Sequence, residues 1–124
     1  MGTPTACPFC DTTGAILTNS LASVRYDTNP VSRGHSLVIS RRHVADWFDT
    51  TLDERQAMLS LADEARLLLA REFAPHGFNL GVNVGEAAGQ TIFHVHIHLI
   101  PRYFGDVTNP RGGVRGVIPA KQNY

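Results

Sequence analysis

Three histidines alternate with apolar residues in the run His94-Val95-His96-Ile97-His98-Leu99-Ile100. Successive side chains on a strand point to opposite faces. His94, His96 and His98 therefore share one face, while Val95, Ile97 and Leu99 point into a core. Apolar residues would pack better on the first face, so three imidazoles there suggest chemistry. At a rise of ~3.3 Å per residue the outer pair stand ~13 Å apart, too far for a straight strand to bring all three onto one ion. Different tasks for different histidines fit better. A neutral imidazole has one free nitrogen that can attack phosphorus, provided its other nitrogen is anchored. It also needs donors facing the phosphate oxygens, where charge builds up. The loop Gly85-Glu86-Ala87-Ala88-Gly89-Gln90, followed by Thr91, is placed to supply backbone N–H groups and side-chain donors. The competing reading is a half-buried strand whose histidines merely face solvent. That reading suits one histidine better than three in strict alternation.

The elements that must position these residues follow from local pattern. Ile16 to Asn19 and Ala22 to Asp27 read as short strands around a turn near Asn19-Ser20, and His35 to Ser40 reads as a strand rich in apolar residues. Thr51 followed by Glu54 is a capping box, with Asp53 adding charge in the first turn. Beyond it Met58, Leu61, Ala62, Ala65, Leu68 and Leu69 fall on one helical face, which predicts a helix from Leu52 to Phe73 ending before Pro75 and Gly77. Phe78 to Val84 and Thr91 to Ile100 read as strands, the second closed by Pro101. Strands, one long helix, then more strands, without βαβ alternation, predict an α+β fold with an antiparallel sheet. The tail from 105 to 124 is expected to be irregular and wrapped on the body. Its Arg111, Arg115 and Lys121, with Arg102 before it, could bring positive charge to a ligand or simply be solvated. His76, between Pro75 and Gly77, reads as a loop residue without a role.

A chain of 124 residues predicts one domain, here 1–124, with a core that needs no disulfide. Eleven basic residues balance eleven acidic ones, which gives no support for bulk binding to nucleic acid or an acidic membrane. No apolar stretch approaches a membrane span, and Met1 to Thr13 lacks the blocks of a signal peptide, so a cytoplasmic protein is expected. Cys7 and Cys10 are the only cysteines. In a reducing compartment their spacing suggests a metal or redox pair more than a structural disulfide.

Gly89-Gln90-Thr91, two residues, and then the histidine run together resemble the signature of the histidine triad (HIT) family. Upstream, Asp27 and Gly34-His35-Ser36-Leu37-Val38-Ile39-Ser40-Arg41-Arg42-His43 resemble its other landmark stretch. The resemblance runs from Cys7 to about Arg102. It implies a half-barrel of antiparallel strands with one long helix, usually as a homodimer. It also implies cleavage at the α-phosphate of nucleotides such as dinucleoside polyphosphates, nucleoside phosphoramidates or adenylylated compounds. By position, His96 corresponds to the nucleophile that forms a nucleotidyl-histidine, which water then hydrolyses. His98 corresponds to the residue that hydrogen-bonds phosphate near the leaving group, and His35 to a supporting histidine behind the triad. Asn83, Gln90 and Thr91 match phosphate-contacting positions. Asp27 matches the acidic position that accepts the ribose hydroxyls, although it could also be a turn residue before Asn29-Pro30.

The cysteine pair by itself is two ligands short of a zinc site. Here too the resemblance adds to the reading, since many bacterial HIT proteins complete such a pair with two histidines. By position these would be His43 and His94, making residues 1–14 a zinc-binding loop and the zinc structural. The competing functions are a nucleotidyltransferase or phosphorylase, a nucleotide- or zinc-binding regulatory module with little catalysis, and a hydrolase with a catalytic metal.

Overall fold

The computed structural model describes residues 7–124, so residues 1–6 of the expected zinc-binding loop lie outside the described residues. Strands β1 (Leu17–Thr18) and β2 (Ala22–Tyr26) form a hairpin. Asn19 shapes its turn by accepting the amides of Leu21 and Ala22, and its own amide ties the hairpin to the helix through the Ala57 carbonyl. Strand β3 (Ser36–Ser40) follows, then helix α1 (Leu52–Phe73), β4 (Gly77–Gly81) and β5 (His96–Arg102). They make one antiparallel sheet in the order β1-β2-β3-β5-β4.

The helix occupies the span that the sequence predicts. Thr51 Oγ1 accepts the Glu54 amide, and Glu54 Oε1 accepts the Thr51 amide, so the capping box is complete. Met58, Leu61, Ala62, Ala65 and Leu69 are buried against Val24, Val38, Ile97 and Leu99 on one face of the sheet. Each large apolar side chain buried there contributes about 1.5–3 kcal/mol. Burying this face on the helix leaves the opposite face free to carry the polar residues.

Three boundaries differ from the sequence reading by more than one residue. The last strand begins at His96, not Thr91, because Gln90 turns its amide onto the carbonyls of Ala45 and Ile92, and residues 92–94 form a bend. Pro101 lies within β5, opposite Phe78, rather than closing it. Its carbonyl accepts Ser32 Oγ on the side away from β4, so the missing N–H would have pointed the same way and costs no ladder bond. β4 ends at Gly81, after which the chain carries Asn83 toward the polar face.

Two short 3-10 segments, Gly113–Val117 and Pro119–Lys121, shape the tail. Arg115 is held there by the Lys121 and Gln122 carbonyls and by the Tyr124 ring. Arg102 sits on β5 and makes a fork with Asp106, so its charge is neutralised locally. His76 has a local structural task after all: its Nδ1 accepts the Phe104 amide, and its ring stacks on Phe104.

Candidate functional site

The face of the sheet turned from the helix is set by register. Leu37 pairs with His98, and Ile39 pairs with His96, so both histidines stand beside apolar neighbours from β3. Arg25 pairs with Leu37 and shares that face. A cleft of about 420 Å³ opens over it. Asp27, Asn83, Gln90, Thr91, His96 and His98 all line this cleft, together with Arg25, Pro8 and Phe9. His35 lies behind them, buried against His98.

Hydrogen bonding fixes the state of each ring. The His94 carbonyl only accepts, so His96 Nδ1, at 2.8 Å from it, must carry a proton. The lone pair of neutral His96 is then on Nε2, the remaining nitrogen. Next, the Val31 amide donates to His35 Nδ1 at 3.1 Å. Neutral His35 must carry its proton on Nε2, which lies 3.0 Å from His98 Nδ1. His98 Nδ1 therefore accepts, and His98 offers an N–H from Nε2. Burial is the main cause that lowers the pKa of His35, His96 and His98 from the ordinary histidine value, which favours these uncharged forms.

Asp27 serves two neighbours. Its Oδ1 accepts the Asn29 amide, and its Oδ2 lies 3.4 Å from His35 Nε2. Both readings of this residue, turn former and cleft acid, thus describe the same carboxylate. Asp27, His35 and His98 also lie close enough to hold an ion. The Val31 N–H argues for hydrogen bonding instead, because it leaves no lone pair on His35 Nε2.

His94 departs from the expected row. It precedes β5, and its ring is fully buried. Its Nε2 donates to the Ser40 carbonyl at 2.7 Å, which puts the lone pair on Nδ1. That nitrogen lies 3.3 Å from Cys7 Sγ and 3.6 Å from Cys10 Sγ, while His43 Nδ1 lies 3.2 Å from Cys10 Sγ. Tetrahedral zinc with bonds of ~2.0–2.3 Å would place its ligands ~3.3–3.8 Å apart; these three separations are close to that spacing, and all four donors lie within 4.8 Å of one another. Burial, then hydrogen bonding and charge from Cys7, raises the Cys10 thiol above its usual pKa, so a cation is what would favour the thiolate. Arg42 makes a two-point bridge to Glu54, at 2.8 and 2.9 Å, and so anchors the segment that carries His43.

Residues 11–105 match the HIT domain. The chain belongs to the HIT family. An uncharacterized HIT-like protein of Mycoplasma genitalium is 37% identical over 107 residues, covering 82% of this chain and 76% of that one. The adenylylsulfatase HINT3 of Arabidopsis thaliana is 45% identical over 76 residues, covering 61% of this chain and 39% of that one. An AP-4-A phosphorylase of Mycobacterium tuberculosis is 35% identical over 78 residues, covering 62% of this chain and 40% of that one. The crystal structure of a zinc-bound histidine triad family protein from Mycobacterium smegmatis superposes with a TM-score of 0.77 at 29% identity, covering 86% of this chain and 82% of that one.

In this HIT protein the Gln90 side chain lines the cleft and is engaged with its own loop. Its Oε1 accepts the Gly85 amide, and its Nε2 donates to Ala45 and Ile92, so the side chain holds the loop in shape. The amides of Ala88, Gly89 and Gln90 also bond within that loop. Thr91, exposed at the cleft, is the donor this arrangement presents. Sequence reasoning missed Phe9, Arg25 and the Val31 amide. Arg25 had a usable signal, since it stands two residues before Asp27 and so on the same strand face. A backbone N–H acting on a ring nitrogen has no sequence signal.

Proposed function

We propose that the chain is a nucleotide-binding hydrolase that cleaves at the α-phosphate of a dinucleoside polyphosphate or a nucleoside phosphoramidate. The observation that carries this reading is the anchored His96 ring, with Nδ1 held by the His94 carbonyl and Nε2 left as the nucleophile at the cleft. His96 Nε2 forms a bond to phosphorus as the bond to the leaving group breaks, and the electron pair departs on the leaving group. His98 Nε2–H faces that group and donates a hydrogen bond to it, which stabilises the charge that builds up there, with His35 and Asp27 behind. The nucleotidyl-histidine keeps its Nδ1 proton, and its positive charge is stabilised by the His94 carbonyl. Water then attacks phosphorus, the N–P bond breaks, and the mononucleotide leaves. Asn83 and Thr91 hold the phosphate oxygens. Asp27 accepts the ribose hydroxyls with its remaining lone pairs.

Cys7, Cys10, His43 and His94 hold a structural zinc in this reading. The donor distances and the zinc-bound relative support it. When bound, the ion supplies a cross-link between the N-terminal loop and the sheet. None of its ligands is His96 or His98, which weighs against a catalytic metal. A homodimer is proposed from the family resemblance, and sedimentation would test it. Among the described residues no helix is long and apolar enough to cross a membrane.

A panel of dinucleoside polyphosphates, adenosine phosphoramidate and adenylyl sulfate, run with wild type and His96→Ala, tests the reaction. Turnover by wild type alone supports the proposal, and equal turnover by both sinks it. The similarity to an AP-4-A phosphorylase favours one second reading, in which phosphate replaces water as acceptor. Production of a nucleoside diphosphate in phosphate buffer would identify it.

A further inference from the structure

The metal-ligand cluster and the cleft are built from the same short segments. Cys7 and Cys10 bracket Pro8 and Phe9, and both of these line the cleft. Phe9 is only 7% exposed. Its ring meets the His96 ring edge-on, with centroids 4.8 Å apart and planes at 76°. The Arg25 guanidinium lies 4.6 Å over the Phe9 ring and donates to the Pro8 and Asp11 carbonyls, which ties the loop to β2. A second connection runs through His94. Its ring nitrogen faces the cysteines, while its backbone carbonyl holds His96 Nδ1–H.

We propose that filling the Cys7-Cys10-His43-His94 site sets the position of the His96 ring, with Phe9 as the positioning residue that carries the effect. The proposal rests on the reading of His96 as nucleophile. The side-chain bond and the hydrogen bond at Nδ1 leave the tilt of the imidazole to be set by packing, and its two edge contacts are His98, with centroids 5.0 Å apart, and Phe9. Arg25 and the packing of Phe9 on Leu37 and Ile39 hold the middle of this loop, and the four ligands add a cross-link at Cys7 and Cys10, the residues on either side of Phe9. A misplacement of ~1 Å at an attacking atom can cost ~10²-fold in rate, so a small shift of this loop is enough to matter. The site is then more than a fastening for the N-terminal segment, because its occupancy is felt at the reacting nitrogen.

The test uses zinc-loaded wild type, Phe9→Ala and Phe9→Leu, with metal content read by native mass spectrometry. Phe9→Ala keeps all four ligands. It is expected to retain zinc, lose about tenfold or more in kcat with a smaller change in KM, and shift the His96 ring signals in nitrogen-15 NMR spectra. Phe9→Leu, which refills most of the volume, should recover most of the rate. Unchanged kcat and ring signals in zinc-loaded Phe9→Ala overturn the proposal. A second arm does not depend on that variant folding. Wild type with its zinc removed by chelator and its fold checked by circular dichroism is compared with the loaded protein for AMP affinity and for the same ring signals. We expect AMP binding weaker by about fivefold, as the competent arrangement becomes a minor one, together with moved or broadened His96 signals. Equal affinity and superimposable signals would refute the coupling. If the loaded wild type forms no adduct with any substrate, the nucleophile reading fails by itself, and the ring signals still report on the coupling.

Discussion

The Val31 amide donates to His35 Nδ1, and this one backbone bond determines which nitrogen of His98 carries a proton. Without it His35 could present either nitrogen to its neighbour. With it, His35 Nε2 donates, His98 Nδ1 accepts, and His98 keeps an N–H for the cleft. A turn of main chain before β3 thus selects the tautomer of a residue on the neighbouring strand β5.

Replacing His35 with Asn should break this chain of donors while leaving His96 and the cysteines in place. We expect kcat to fall about 10²-fold. The fall should be largest for substrates with poor leaving groups, which depend most on a donated hydrogen bond. Steady-state rates across a series of amine and phenolate leaving groups check this. A uniform loss across the series would point to a packing defect instead.

Removing the metal should cost stability. Chelator treatment or Cys10→Ser should lower the Tm by about 10 °C, equivalent to roughly 2–3 kcal/mol in a domain of this size. Differential scanning calorimetry with and without added zinc measures it. Recovery on adding zinc is expected for the chelated wild type, and not in full for Cys10→Ser.

Glu54 gives a pH signature. Its hydrogen bonds with Arg42, then those with Thr51 and the Arg42 charge, hold its pKa at about 2, below the ordinary 4.5. The stability it adds is complete above the unfolded value and is lost as pH falls through 4.5 toward 2. Glu54→Gln should therefore cost about 1–2 kcal/mol at neutral pH, since Arg42 is half exposed and partly screened. Urea denaturation should show that difference shrinking as the pH is lowered through this window.

Gly34 has φ +85°, and a Cβ there would lie 2.8 Å from Phe73 Cδ2. Gly34→Ala should destabilise the fold by about 1–3 kcal/mol through backbone strain and displacement of the ring. Because His35 follows directly, activity should fall as well. Chemical denaturation and kcat, measured on the same preparation, test both.

The sequence made some of this plain and hid the rest for physical reasons. The helix limits were legible because Thr51, Glu54 and Pro75 act locally. The cleft histidines were legible because strand alternation places them. The start of β5 was not, since the bend at 92–94 goes with Gln90 bonding to Ala45, a partner far along the chain. The position of Pro101 in the sheet depended on which side of the strand had a neighbour. Phe9 carries no signal of its own in the sequence, and only the folded loop brings it against His96.

Rapid mixing with adenosine phosphoramidate, quenching in alkaline denaturant and peptide mass spectrometry test the central claim most directly. The account predicts one nucleotidyl group on the peptide that contains His96, fragmenting at that residue, and none in His96→Ala. An adduct on another residue, or steady turnover with no adduct at any time, would contradict it.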